Sequence, residues 1–255
     1  MGAALTYTAL AGIPDIAPGD DLGAVIAAAL ERNGITPRSQ DVLVVAQKAV
    51  SKAEGRFVDL ASVVPSAEAV SLGGETGKDP RLVETILSES DSVLRSKPGV
   101  IVVVHRLGYV MANAGIDRSN LGSDGDGECV LLLPRDPDAT AAHLRDVLEV
   151  RYRVPLGVVI SDSFGRAWRN GVVNVALGAA GLPSLVDARG RQDRDGRPLE
   201  VTQIAFADAL AAGAAPVMGE ADEGQPVVHV RGAAWQQASN PAEALIRPVE
   251  EDMFR

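Results

Sequence analysis

The chain has 255 residues, 46% of them hydrophobic but only 4% aromatic, and carries a formal net charge of −10. That length supports one large domain or two small ones around an aliphatic core, while the acidic balance and the few rings exclude a basic nucleic-acid surface or a stacking platform for single strands. The lone Cys129 rules out an intrachain disulfide and fits a reducing, cytoplasmic setting, and neither a signal-peptide start nor an apolar run of membrane-spanning length is present.

In chain order, "PGDDLGAVIAAALERNG" predicts a helix, with an Asp cap, Leu22, Val25, Ile26, Ala29 and Leu30 at helical spacing, and Gly34 as the stop. "DVLVVAQKAVSK" predicts a buried strand followed by a polar turn, and "DPRLVETILSESDSVLR" a second helix. "GVIVVVHR" and "LGYVMANAG" read as a hairpin, and "ECVLLLP" as another apolar strand. "DPDATAAHLRDVLEVRY" is a helix announced by Asp-Pro-Asp. "PLGVVISDSFGRAWRNG" predicts a strand running into a loop, "EVTQIAFADALAAGAAPVMG" a helix with small residues on one face, and "QPVVHVRG" a closing strand. This mixture predicts an α+β fold rather than the strict alternation of a doubly wound sheet.

Several familiar signatures fail. "GGETGKDP" lacks the first glycine of a phosphate loop and has Asp79 where a hydroxyl must ligate magnesium, so it reads as a helix-start turn. No dinucleotide fingerprint, nucleophile elbow or zinc-protease motif occurs, and His105, His143 and His229 are too scattered for a zinc site. Cys129 reads as a core residue, and "GSDGDGE" as a solvated loop rather than a calcium loop.

Four polar stretches remain, each at the end of a predicted strand: "GIPDI", "AQKAVSKAEGR", "ANAGIDRSN" and "ISDSFGRAWRNG". Lys48 and Lys52, taken alone, are solvated lysines. Asp117 and Asp162 are each a hard-cation ligand or else a helix cap or ion-pair partner. "MGEADEGQP" adds Glu220 and Asp222 after a helix. Together these residues offer acids for metal ions and cations for phosphate, the materials of phosphoryl transfer.

These stretches, with "ETGKDPRLVETIL", "LLLPRDPDA", "VVISDSFGRAWRNGVVNVALGAAGL", "GRPLEVTQIAFADALAAGAAPVMGEADEG" and "PVVHVRG", resemble in order the coenzyme F420-0:L-glutamate ligase family over about residues 10 to 250. The resemblance implies a two-domain, mixed-sheet α+β fold of the gamma-glutamyl ligase type that forms a homodimer. It implies one ligase unit over residues 1–255, with two intertwined subdomains as an alternative, and without the nitroreductase-like domain fused to some relatives. The implied activity is GTP-dependent ligation of L-glutamate to the lactyl-phosphate tail carboxylate of the deazaflavin F420-0, followed by γ-linked extension. Two divalent cations per site, Mg2+ or Mn2+, are implied, with K+ as a further candidate.

Carried over residue by residue, Ile13, Pro14, Asp15, Ile16, Gln47, Lys52, Asn120 and the run Met218, Gly219, Glu220, Ala221, Asp222, Glu223, Gly224 and Gln225 would contact GTP. Asp117 and Asp162 would share one metal and act in catalysis, with Ser163 and Glu220 on the second metal. Ser163 stands where Thr is common, and Gln47 and Glu220 lie where relatives vary. Arg118 is equally a structural ion pair. An amino-acid ligase acting on another carboxylate, or a non-catalytic deazaflavin-binding module, are the alternatives.

Overall fold

The computed structural model describes residues 4–118 and 128–253. The "GSDGDGE" loop and Asn120 fall mostly or wholly outside them. The first half of the chain contributes β1 (Thr6–Ala9), α1 (Leu22–Arg32), β2 (Val42–Ala46) and α2 (Gln47–Ala53). Then come β3 (Phe57–Asp59), α3 (Ala67–Thr76), α4 (Pro80–Ser88), β4 (Ser90–Lys97), β5 (Val100–His105), β6 (Val110–Ala112) and β7 (Cys129–Leu131). The second half adds α5 (Pro137–Tyr152), β8 (Gly157–Arg166), β9 (Arg169–Ala180), β10 (Leu185–Asp187), β11 (Gln203–Ala205), α6 (Phe206–Met218) and β12 (Val227–Arg231). The α+β class is as the sequence predicts. No described helix is long and apolar enough to cross a membrane.

The main sheet has the order β1-β12-β2-β8-β9, with β2 and β8 parallel and the other pairs antiparallel. Successive side chains of a strand point to opposite faces, so "VLVV" serves two cores. Leu43 and Val45 join Val158 and Ile160 beneath Ile26 and Leu30 of α1 and Leu144 and Leu148 of α5. Val42 and Val44 join Val159, Val228 and Val230 beneath Leu210, Ala211 and Ala214 of α6. Covering on both faces explains why β2 is a continuous apolar run.

A second unit is built from the segment between α2 and α5. Its three-stranded sheet β4-β5-β6 packs on α3 and α4 through Leu82, Val83, Ile86, Ile101 and Val103. Met111, Leu133 and Leu177 join it to the main sheet. A polar contact ties this unit together: the Glu89 carboxylate, at the end of α4, accepts from Arg56 Nη2 at 2.7 Å and from Arg106 Nε at 3.1 Å.

Several elements differ from expectation. The polar turn after β2 is the helix α2, because Gln, Ala and Lys all favour helix. The predicted helix over 79–95 stops at Ser88 and continues as β4. Ser90 Oγ back-bonds to the Ile86 carbonyl at 2.6 Å, a competition that weakens helices, and the chain then pairs with β5. The loop expected after "ISDS" is instead a hairpin: β8 runs to Arg166, turns at Ala167 and Trp168, and returns as β9. Helix α6 begins only at Phe206, after the short β11, and "ECVLLLP" contributes only a three-residue strand. Cys129 is half-buried rather than a core residue. Helix α3 has no clear sequence signal, because Gly73 and Gly74 lower its propensity. The turn in "GGETGKDP" is as read, with left-handed Gly77 closing α3 and Asp79 capping α4.

Candidate active site

Parallel strands β2 and β8 end together, Ala46 opposite Ser161, and the polar stretches gather at that end. Just past it, α2 begins with Gln47 and Lys48. The 219–225 loop returns there too, since Ala46 N–H donates to the Pro226 carbonyl at 2.8 Å. "GIPDI" leaves the same end, because Leu10 N–H donates to the Val227 carbonyl at 2.9 Å and the following chain is drawn to α2 by Gly19 N–H donating to the Ala53 carbonyl at 2.8 Å.

Asp117 arrives from the second unit. Its N–H and carbonyl both pair with Leu131 at 2.9 Å. It follows three successive left-handed residues, Asn113, Ala114 and Gly115 (φ 51°, 54° and 65°). Such backbone is costly outside glycine and is found where surroundings force it. Here Asn113 Oδ1 accepts from Ile101 N–H at 3.1 Å, and a Cβ on Gly115 would lie 2.5 Å from Met111 Cε. The odd backbone of "ANAGID" thus fixes where the Asp117 carboxylate emerges.

That carboxylate is held from two sides. Gln47 Nε2 donates to Oδ2 at 2.8 Å, and Lys48 Nζ lies 3.6 Å from Oδ1. The buried Gln47 also accepts from Ser51 Oγ at 2.9 Å, so both ends of its amide are engaged within the protein. Burial pushes the Asp117 carboxyl above its ordinary value, opposed by Lys48 and Gln47. Asp162, one residue beyond Ser161 on β8, is pushed up to about 7 by burial first, then by the charge of Asp117, with Glu220 adding to it. Two carboxylates, a lysine and a third acid therefore act on one another here.

The remaining sequence candidates divide. Ser163 lies opposite Asn174 on the next position of the hairpin, so its side chain points to the other face from that of Asp162. The Asn174 amide donates to Met218 Sδ at 3.8 Å at the end of α6. Gly219 then takes φ 79°, and a Cβ there would meet the Glu223 carboxylate, which accepts from Ala221 N–H at 2.9 Å. Residues 220–224 are exposed, as are Pro14 and Asp15, whereas Ile16 is anchored in the core. Lys52 sits half-buried one turn beyond Lys48 on α2. Lys48, expected to be solvated, is the lysine that faces Asp117. Its signal was its place two residues after the strand. Among the described residues, no three His, Cys, Asp or Glu side chains form a metal-binding cluster by themselves.

The family model for F420-0:Gamma-glutamyl ligase matches residues 12–232. Relatives named coenzyme F420:L-glutamate ligase include one from Methanothermobacter thermautotrophicus, 44% identical over 246 residues, covering 96% of each chain. One from Methanopyrus kandleri is 44% identical over 94% of this chain and 93% of its own, and one from Natronomonas pharaonis 42% identical over 97% and 93%. With the match spanning four of the five main-sheet strands, the inserted unit and every polar stretch at the strand ends, the chain belongs to the F420-0:gamma-glutamyl ligase family.

Proposed function

We propose that this chain is a ligase that joins L-glutamate to the tail carboxylate of the deazaflavin F420-0, activated by GTP and aided by divalent cations. It then extends the chain through γ-linkages, working as a cytoplasmic homodimer. The observation that carries the proposal is the half-buried, mutually interacting Asp117 and Asp162 with Lys48 against Asp117, in a chain 44% identical to a coenzyme F420:L-glutamate ligase over 96% of its length.

A carboxylate resists an attacking amine, so it must first be activated. An oxygen of the tail carboxylate attacks the γ-phosphorus of GTP. The bond to the bridging oxygen breaks, and GDP leaves with the electron pair. The glutamate amine, having lost a proton to solvent or a base, then attacks the acyl carbon of the acyl phosphate. The carbon–oxygen bond breaks, and inorganic phosphate departs. Catalysis of this kind is mainly alignment and charge neutralisation.

The residues present fit a divalent cation. Asp162 is an oxygen donor raised to about 7 by burial and a neighbouring carboxylate, a combination that a cation relieves. Asp117 and Asp162 would hold it, with Glu220 as the candidate for a second; the Ser163 side chain, on the other face of β8, is set apart from that pair. With so few oxygen donors clustered among the described residues, the site suits Mg2+ or Mn2+, which keep water and phosphate oxygens in their shell. When bound, the cations neutralise phosphate oxygens. The protein's own part is to set Asp117 through Gln47, to place Lys48 and Lys52 toward phosphate as point charges, and to close residues 219–225 and 13–16 around the nucleotide.

Incubation with GTP, glutamate, Mg2+ or Mn2+ and glutamate-free deazaflavin, followed by mass measurement, tests the proposal. A product heavier by one or more glutamate residues is expected. An unchanged deazaflavin alongside a ligated alternative carboxylate would refute the acceptor, and no ligation at all would refute the reaction.

A further inference from the structure

A cleft of about 300 Å³ opens between the β8–β9 hairpin, the β5–β6 turn and the C-terminal segment. Two of its walls belong to the neighbours of Asp162 on the β8–β9 hairpin. Val175 is its cross-strand partner, and Phe164 lies two residues further on the same strand. Cross-strand partners and residues two apart point to the same face. Asp162, Val175 and Phe164 therefore present their side chains to one side, with Phe164 roughly 7 Å along the strand. Tyr109 meets Phe164 edge to face, with ring centroids 6.3 Å apart and planes at 86°. Ile246 covers the cleft from the C-terminal segment, and the exposed Arg247 stands at its margin.

We infer that this cleft receives the flat aromatic ring of the acceptor, with the anionic tail running past Arg247 toward Asp162, an inference that rests on the ligase reading above. Three features favour an aromatic ring over the other substrates. Most of the lining is apolar, with an aromatic pair on one wall; its carboxylates are Asp252 and Asp208, the latter occupied in accepting from Ala176 N–H at 2.8 Å, and aromatic rings pack on such pairs in offset or edge-on contact. Free glutamate, with two carboxylates and an ammonium, would leave those charges facing Val175, Phe164 and Ile246, a costly burial. A volume at the lower end of the small-molecule range holds a ring but not the whole acceptor, so the tail must lead outward. The guanidinium of Arg247 suits a phosphodiester on that tail. The guanine nucleotide is served instead by the loops around residues 13–16 and 219–225, on the side of α2.

The test uses the full chain, the glutamate-free deazaflavin as a fluorescent probe without GTP, and two variants. Ile246→Trp fills the cleft, and Arg247→Gln removes only the exposed charge. Acceptor binding should weaken about ten-fold or more in Ile246→Trp and about three- to ten-fold in Arg247→Gln, with unchanged binding of a guanine nucleotide. In turnover, KM for the acceptor should rise while KM for glutamate stays constant. If both variants bind the deazaflavin like the parent, or if KM for glutamate rises instead, the cleft assignment is overturned while the ligase reading stands. A change of sedimentation with unaltered acceptor binding would likewise overturn it, marking the cleft as an interface. A parent protein that neither binds nor ligates the deazaflavin would overturn both.

Discussion

Asp162 is the carboxyl that its surroundings perturb most among those of the candidate site. Burial and the Asp117 charge raise its carboxyl from 3.8 to about 7, so without a cation the fold favours the protonated form. Its contribution to stability is therefore complete below the ordinary carboxylate value and is lost as pH rises through about 7. Denaturant titration of the cation-free protein should show stability falling across that range, by on the order of 3 kcal/mol. Asp162→Asn should flatten the slope while lowering ligation on the order of 100-fold or more. A slope unchanged by the substitution would show that another group titrates. Lys48→Met removes the ammonium 3.6 Å from Asp117. Because the pair is partly open to solvent, the cost in stability should stay within about 1 kcal/mol. Turnover should nevertheless fall about ten-fold or more, as expected when a charge near the reacting phosphate is lost. An unaltered turnover would return Lys48 to the solvated role its sequence context suggested.

At the scale of elements, two contacts hold the frame around that site. Glu89 joins α4 to the chain after α2 and to the β5–β6 turn through Arg56 and Arg106, with His105 Nε2 3.6 Å away. Burial alone would raise the Glu89 carboxyl, but His105 and the two guanidiniums hold it at about 2. Glu89→Gln leaves two guanidiniums beside a neutral amide and should cost about 3–5 kcal/mol, read as a lower denaturation midpoint. Gly178 brings β9 against the start of α5, and a Cβ there would lie 2.2 Å from the Pro137 carbonyl oxygen. Gly178→Ala should destabilise by about 1–3 kcal/mol or more, because backbone must move rather than a flexible side chain. The elements legible in the sequence are those whose local signals agree with their setting. Helix α5 has Asp136 as cap and Pro137 at its first turn, and β2 is an unbroken aliphatic run. Strand β9 was illegible because "RNGVVNVALGAA" is rich in Gly and Ala, and its pairing with β8 supplies what its composition lacks. The switch from α4 to β4 was hidden for a similar reason: pairing with β5, distant from local propensity, decides it.

On the scale of the whole molecule, two units meet at the carboxyl ends of a parallel strand pair. The main sheet supplies Lys48, Asp162 and the loop carrying Glu220, and the inserted unit delivers Asp117 on a backbone that its own packing constrains. Each polar run was visible in sequence as too many charges for a strand end. Their convergence was not visible, because it depends on pairings such as Gln47 with Asp117, 70 residues apart. For the same reason the sequence does not show that the Gln47 amide donates to Asp117 and accepts from Ser51. The acyl-phosphate path can be checked directly. With the tail carboxylate of the acceptor labelled with heavy oxygen, ligation in the presence of GTP and glutamate should move one labelled oxygen into inorganic phosphate, with GDP as the other product. Label recovered in GMP, or release of pyrophosphate, would contradict the acyl-phosphate path and require a guanylated intermediate in its place.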